Sequence, residues 1–231
     1  GDSSGYLNET GRYNVFIGNE AGYQNNFGRY NAFYGYQSGY KNSTGTSNLF
    51  LGYQSGYNSQ SGNYNSFVGY KSGYSNSSGL NNSFLGSFAG YSNTTGNYNT
   101  FVGDSVGYKN TTGSQNAFYG DKAGLNNTVG ANNIFVGNLA GSLNTSGSSS
   151  IFIGNKSGYT NAAASYNIFL GYRSGYFNDT GTDNLFQGYE SGYSNTGGSS
   201  NIFFGNQAGY SNTTGNYNFF MGIVCFANKI E

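Results

Sequence analysis

Residues 99–115 have the sequence NTFVGDSVGYKNTTGSQ, and residues 65–81, two repeats earlier, have NSFVGYKSGYSNSSGLN. Both open with Asn-x-Phe-x-Gly, and this pattern recurs every 17 residues without insertion. A strict short period is typical of stacked repeats, in which each unit buries its apolar face only against its neighbours. The sequence therefore predicts an all-β parallel solenoid, or β-roll, of about 13 coils with 17 residues each. The repeats start at Asn14, Asn31, Asn48, Asn65, Asn82, Asn99, Asn116, Asn133, Ser150, Asn167, Asn184, Asn201 and Asn218.

The repeat extends through nearly all 231 residues, so we expect a single solenoid domain over residues 1–222. Residues 223–231 depart from the pattern, because Phe226 stands where the repeat would place a glycine. We expect this segment to be an irregular cap or docking segment, with Cys225 as a small buried hydrophobe. The first coil has no such cap at Gly1, which favours head-to-tail stacking of chains or a truncated chain.

Composition argues against several functional classes. Nine basic and nine acidic residues cancel, and the scattered lysines form no basic footprint of the kind that nucleic-acid binding requires. No apolar run is long enough to cross a bilayer, so no membrane insertion is expected. The chain has no histidine, which removes the usual catalytic triad and histidine metal sites. We expect neither an enzyme nor a cofactor or metal site.

The inner face of the coil follows from strand alternation. If the opening Asn is position 0, Phe fills position 2 in every repeat and lies on the same strand face. Stacking at about 4.8 Å would produce an aromatic ladder of Phe and an amide ladder of Asn, in which Ser150 keeps a donor and an acceptor. The predicted core ladder contains Phe16, Phe33, Phe50, Phe67, Phe84, Phe101, Phe118, Phe135, Phe152, Phe169, Phe186, Phe203 and Phe220, with Asn31, Asn48, Asn65, Asn82 and Asn99.

Glycine fills three further columns, at positions 4, 8 and 14. Glycine at a fixed place indicates a positive φ or a close approach of backbones, so three glycine columns predict three corners in each coil. Ala164 is the single exception at position 14. Because a left-handed conformation costs an alanine about 1 kcal/mol or more, we expect a distorted corner there.

The opposite strand face is also apolar. Position 3 is mostly aliphatic, and position 1 changes from small residues to isoleucine and leucine in the later repeats. A strand that is apolar on both faces is normally covered on both. Either a partner surface or a loop of the same chain would cover this stripe. We expect an assembly stripe at Ile17, Leu51, Val68, Leu85, Val102, Val136, Ile153 and Leu170.

Tyrosine and asparagine fill two further columns. The 24 tyrosines fall at positions 3, 5, 9 and 16, and position 9 is the richest. It predicts either a half-buried tyrosine ladder or an aromatic surface that contacts glycans through Tyr57, Tyr74 and Tyr91. Position 11 yields Asn-x-Ser/Thr triplets, which are typical both of turn residues and of glycosylation acceptors. The glycosylation candidates are Asn42, Asn76, Asn93, Asn110, Asn144, Asn178 and Asn212.

The unit Asn-x-Phe-x-Gly-x-x-x-Gly-Tyr-x-Asn-x-Thr-Gly, which residues 99–113 and 201–215 represent, resembles the head repeats of YadA-like trimeric autotransporter adhesins. It is also similar to the Gly-Tyr-x-Asn-x-Thr-Gly arrays of bacterial and phage tail-fibre-domain proteins. The resemblance implies a left-handed parallel β-roll, a trimer, and a place outside the cell, on the cell surface or on a particle appendage. The 17-residue coil is longer than the adhesin head repeat.

Three functions are consistent with these patterns. The first is a structural extracellular fibre or filament, whose partner is a further copy of the same chain in a trimer or a head-to-tail stack. The second is an adhesin or tail-fibre head that binds surface glycans through the Tyr and Asn columns. The third is ice binding through the position 12 row of Thr94, Thr111, Thr128 and Thr145, although Ala162 and Asp179 interrupt that row.

Overall fold

A computed structural model describes residues 1–224. The predictions for Cys225 and Phe226, and most of the expected cap at 223–231, lie outside these residues. The chain divides into two compact units, Gly1–Asn116 and Ala117–Glu231. Both are built from the same coil, and no helix occurs in the described part of the chain.

Each repeat contributes one short strand, at positions 1 to 3. The first unit contains β1 (Val15–Ile17), β2 (Ala32–Tyr34), β3 (Leu49–Leu51), β4 (Ser66–Val68), β5 (Ser83–Leu85) and β6 (Thr100–Val102). The second contains β7 (Ala117–Tyr119), β8 (Ile134–Val136), β9 (Ile151–Ile153), β10 (Ile168–Leu170), β11 (Leu185–Gln187), β12 (Ile202–Phe204) and β13 (Phe219–Met221). Within each unit, every strand pairs in parallel with the next one along the chain.

The register of this pairing is one repeat, so identical positions lie above one another. In the first unit, for example, Phe50 pairs with Phe67 and Phe67 with Phe84. Backbone hydrogen bonds between coils continue beyond the strands, as from Gly56 N to Ser72 O at 2.9 Å. Because the irregular parts of the coil also pair, few backbone groups are left without a partner. The predicted all-β parallel solenoid with 17 residues per coil is confirmed; its left-handed sense stays a prediction.

The phenylalanine ladder forms the core of each unit. Phe33 to Phe101 in the first unit and Phe118 to Phe203 in the second are at most 1% exposed, whereas Phe16 and Phe220 are half-buried. Neighbouring rings stack with centroids 4.6–5.2 Å apart, as for Phe33 and Phe50 at 4.8 Å. The predicted Phe ladder is therefore confirmed, and it supplies the continuous apolar contact that three-residue strands could not provide alone.

Two of the three glycine columns have the expected left-handed backbone, and the third does not. Position 4 has φ between +125° and +141°, and position 8 has φ between +55° and +62°. Position 14 has no positive φ. It requires glycine for space, because a Cβ there would overlap the Asn side chain at position 11 and the carbonyl of the next coil. Positions 6 and 16 also adopt positive φ, near +50° to +61°, with many residue types. Of the two alternatives predicted for a glycine column, positions 4 and 8 therefore show the positive φ, and position 14 shows the close approach of backbones.

The physical reason given for a distorted corner at Ala164 is accordingly wrong, because this residue has no positive φ. Its methyl group instead occupies a buried place that has no room for a Cβ in neighbouring coils. The amides of Thr145 and Ser146 both donate to Ala162 O, at 2.7 and 3.1 Å. Within the described residues, the equivalent amides one coil later, at 162 and 163, donate no such bond. The corner is therefore loosened sterically rather than strained in φ.

Candidate interaction surfaces

Two asparagine ladders hold the coil closed and join it to its neighbours. At position 0, Asn65 Nδ2 donates to Gly79 O at 2.8 Å within its own coil and to Asn48 Oδ1 at 3.2 Å in the preceding coil. Asn82 N then donates to Asn65 Oδ1 at 2.9 Å. This confirms the predicted amide ladder. Its side chains bond not only to one another but also to backbone groups. Ser150 keeps the acceptor, since Asn167 N donates to Ser150 Oγ at 3.2 Å.

The second ladder, at position 11, was not predicted as a ladder. Asn93 Nδ2 donates both to Asn76 Oδ1 at 2.7 Å and to Gly96 O at 3.1 Å. A third inner column, at position 7, holds small residues such as Ser55, whose Oγ donates to Phe67 O at 2.9 Å. The regular Asn at position 11 and Ser or Ala at position 7 are the sequence signals that could have shown both columns.

The glycosylation candidates belong to this second ladder. Their side chains are at most 3% exposed, and their amide nitrogens are hydrogen-bonded inside the coil. A glycan attached to such a nitrogen would have to occupy the interior of the solenoid. The turn interpretation therefore holds for the folded chain, and glycosylation is incompatible with the folded position of Asn42, Asn76, Asn93, Asn110, Asn144, Asn178 and Asn212.

One coil interrupts the position 11 ladder. Ser59 stands where the other coils have asparagine, and its side chain is fully buried. Neither Ser59 Oγ nor the facing Asn42 Oδ1 has a hydrogen-bond partner. Two buried polar atoms without partners make this the weakest point of the inner hydrogen bonding in the first unit.

The outer strand face, which we define as positions 1 and 3, lies open to solvent. In the first unit, Leu51 is 44% and Leu85 51% exposed, and in the second unit Ile153 is 42% exposed. Among the other predicted stripe residues, Ile17 is also exposed, whereas Val68, Val102, Val136 and Leu170 are half-buried. No described segment covers these side chains, so the alternative of a covering loop from the same chain is not found in residues 1–224.

The outer strand face is most apolar in the second unit. Six of its seven strands carry a large apolar residue at position 1, at position 3 or at both, as in Ile151 with Ile153 and Ile202 with Phe204. No charged residue occurs at positions 1 or 3 in either unit. A contiguous apolar face without charge is typical of an interaction surface rather than of an ordinary solvated surface.

The position 9 tyrosines form the predicted half-buried ladder. Tyr57, Tyr74 and Tyr91 stack at 5.1–5.2 Å with their planes within 8° of parallel. Each ring face is therefore occupied by the ring of a neighbouring coil. A sugar ring cannot stack on these faces, so any glycan contact would have to use ring edges and hydroxyl groups.

A second tyrosine row accompanies the first in three coils. We call Tyr36, Tyr53 and Tyr70 at position 5, together with Tyr40, Tyr57 and Tyr74 at position 9, the tyrosine double row. Position 6 lies between the rows, since Lys71 Nζ is 5.5 Å from the ring centroids of both Tyr70 and Tyr74. In the two preceding coils this position holds Gln37 and Gln54.

The side chains between the rows are hydrogen-bonded to one another. Gln54 Nε2 donates to Gln37 Oε1, and Gln37 Nε2 donates to Glu20 Oε2, both at 2.7 Å. In the second unit the corresponding place is filled by an ion pair, because Arg173 is 3.6 Å from Glu190. The Arg173 guanidinium also lies 5.0 Å from the ring of Tyr172. The two units thus fill the space between similar tyrosines differently.

The threonine row does not present free hydroxyl groups in the manner of an ice-binding surface. Thr94 Oγ1 donates to Thr111 O at 3.0 Å, and Thr145 Oγ1 donates to Ala162 O at 2.8 Å. These hydroxyl groups serve the stacking of the coils. The ice-binding alternative therefore gains no support from the geometry of its own residues.

Residues 1–224 contain no group of His, Cys, Asp and Glu that could hold a metal ion, and no helix in this range is long and apolar enough to span a membrane. The described residues thus present two kinds of candidate surface, an apolar strand face and rows of tyrosines. Comparison with protein-family models, curated proteins and solved structures gives no match.

Proposed function

We propose that this chain is a structural protein, a component of an extracellular or surface fibre, whose coils associate with further copies of the chain through the outer strand face. Its extracellular place is taken from the resemblance of the repeat. The exposed and uncharged outer strand face is the observation on which self-association rests.

The use of the interior supports a structural role. Phenylalanine at position 2 and asparagine at positions 0 and 11 contact the equivalent residues of the next coil, and serine at position 7 donates to the Phe carbonyl of the next coil. These regular columns stabilise the stack, and within residues 1–224 they fill the inside of the coil. A repeat protein of this kind is stabilised mainly by nearest-neighbour interfaces.

The chemistry of the face supports a second copy of the chain as the partner. A second copy presents the same face, with the same lack of charge and the same rows of side chains. Sheets pack face to face at about 10 Å when side chains of both inner faces are apolar. Self-association through one face also satisfies the rule that closed homo-oligomers use self-complementary or cyclic contacts.

Lysine substitutions in the second unit test this proposal. Ile134→Lys with Ile153→Lys places two charges on the outer strand face, where both residues are about 40% exposed. Because a charge buried without a partner is costly, we expect electron micrographs to lose the filaments or oligomers of the wild-type protein. Val129→Lys with Leu143→Lys is the matched control, since these apolar residues are 52% and 38% exposed outside that face.

The control variant should form the same particles as the wild-type protein. If Ile134→Lys with Ile153→Lys assembles as the wild type does, the outer strand face is not the contact. If the control pair disrupts assembly equally, the loss reflects added charge in general, and the proposed face is again wrong.

A further inference from the structure

The tyrosine double row has a defined length. At one end Phe88 occupies position 6 and packs edge-on against Tyr70, with ring centroids 5.1 Å apart. It also contacts Tyr91 and Tyr108, so it fills the space between the rows beyond Lys71. At the other end Glu20 closes the series of hydrogen bonds. The open strip therefore covers three coils, with Gln37, Gln54 and Lys71 along its middle.

The hydroxyl groups along this strip are free to bind a ligand. None of the six phenolic hydroxyls of the double row forms a hydrogen bond within residues 1–224. Tyr36, Tyr53 and Tyr70 are 42–43% exposed, so solvent and ligands reach their side chains. Burial raises the pKa of Tyr40 and Tyr57, with the neighbouring carboxylate and tyrosines adding to the effect. These phenols therefore stay neutral and keep a proton to donate at neutral pH.

The spacing of the rings selects the ligand. Along each row the centroids repeat every 5.0–5.3 Å. Side chains on one face of an extended peptide repeat every roughly 6.6–6.8 Å, so a peptide would fall out of step within three coils. Single-stranded nucleic acid needs a basic groove and open aromatic faces, and here the faces of successive rings cover each other. An extended chain of equatorially linked pyranose sugars advances by a distance close to the ring spacing.

We propose that the tyrosine double row of the first unit binds an extended neutral polysaccharide, which lies along the stacking direction and is recognised by hydrogen bonds to the phenolic hydroxyls. The amides of Gln37 and Gln54 are already bonded to their neighbours, and they form an uncharged stretch of the strip between Glu20 and Lys71. The sugar would contact the edges and hydroxyl groups of the tyrosine rings, because the ring faces, on which sugars stack in isolated aromatic residues, are covered by neighbouring rings. Tyr91 lies beyond Phe88 and takes no part.

Two kinds of variant test this site by different routes. Tyr53→Phe with Tyr70→Phe removes two hydroxyl groups and keeps both rings. Gln54→Phe fills the strip as Phe88 does, and it adds no new backbone strain because φ is +51° at Gln54 and +54° at Phe88. Leu139→Phe is the control, since it places the same side chain at position 6 of the second unit, where φ is +58°.

The probes are cellohexaose and chitohexaose, with maltohexaose as a curved oligosaccharide of different repeat, each measured by titration calorimetry with the full chain. We expect the wild-type protein and the Leu139→Phe control to bind one or both extended probes. Binding should weaken at least tenfold in each of the other two variants, while their thermal unfolding remains cooperative.

Three results would overturn the proposal. The first is that the wild-type protein binds neither extended probe. The second is that Tyr53→Phe with Tyr70→Phe and Gln54→Phe leave binding unchanged. The third is that maltohexaose binds as tightly as the extended probes, because the ring spacing would then not select the ligand.

Discussion

At the scale of single residues, asparagine is the main side chain that hydrogen-bonds one coil to the next. Its amide has two donors and an acceptor in a short side chain, so one residue can bond its own coil and both neighbouring coils. Asn65 does all three, through Gly79 O, Asn48 Oδ1 and Asn82 N. Serine has one donor and a shorter reach. Ser150 still accepts a hydrogen bond from Asn167 N, whereas Ser59 does not reach Asn42 Oδ1 and leaves it without a partner.

The interrupted ladder leads to a stability prediction. Ser59→Asn should provide a donor both for Asn42 Oδ1 and for Gly62 O, as Asn93 does in its own coil. Satisfying a buried acceptor is worth about 1–3 kcal/mol, so the free energy of unfolding should rise by that order. Urea unfolding followed by circular dichroism measures the change.

The control for this prediction is Ser59→Ala, which removes the unpartnered hydroxyl and still leaves Asn42 Oδ1 without a donor. It should stay close to the wild type. If Ser59→Asn lowers stability as much as it was expected to raise it, the interior near Ser59 has no room for the amide, and the ladder account fails at this coil.

At the scale of the coil, its shape is set by four left-handed positions and one crowded one. Only positions 4 and 8 combine positive φ with glycine, and at position 8 the absent side chain leaves space for the Phe ring. A Cβ on Gly175 would lie 2.5 Å from Phe169 Cδ2. Positions 6 and 16 adopt the same left-handed region with ordinary residues, because inter-coil hydrogen bonds on both sides fix the backbone there.

Substitution of a corner glycine should therefore be costly. Gly175→Ala combines left-handed strain of about 1–2 kcal/mol with overpacking against Phe169 of about 1–3 kcal/mol. Gly197→Ala lies in the same unit, has no positive φ and would place its Cβ 3.3 Å from Thr180 Oγ1 at the nearest. Its stability should differ from that of the wild type by less than about 1 kcal/mol.

Chemical unfolding of the two glycine variants side by side checks this contrast. Equal losses of stability in both variants would show that the corner at position 8 has no special requirement for glycine. A loss confined to Gly175→Ala would agree with the arrangement of the Phe ladder and the corner.

Much of the coil can be predicted from the sequence, because period and strand alternation are properties of the chain itself. The register, the Phe ladder and the first Asn ladder follow from Asn65 and Phe67 recurring in phase. The left-handed conformation at Lys71 or Tyr64 could not be predicted, since these residue types show no preference for it and the neighbouring coils impose it. The second amide ladder was obscured because asparagine in a turn has an ordinary local explanation.

The candidate surfaces were predictable in part. Alternation correctly placed Leu51 and Ile153 on an outer face, but exposure depends on what the rest of the chain covers. The tyrosine double row was missed because it depends on Lys71 lying between two tyrosines four residues apart, which requires the shape of the corner. The column pattern predicts glycan contact at Tyr91, but it does not show that Phe88 packs against this ring.

At the scale of the whole molecule, both units share one coil and differ in their surfaces. The first unit carries the tyrosine double row, whereas the second carries the most apolar outer strand face and an Arg173–Glu190 ion pair in the corresponding place. Under the two proposals made above, one part of the chain would contact polysaccharide and another would contact further copies of the chain. This arrangement would suit a fibre that must both assemble and attach.

Sedimentation velocity of the wild-type chain over a hundredfold range of concentration tests the central claim most directly. The account predicts species whose masses are whole multiples of the chain mass and whose proportion grows with concentration, because the outer strand face binds a second copy. A single species with the mass of one chain at every concentration would contradict it.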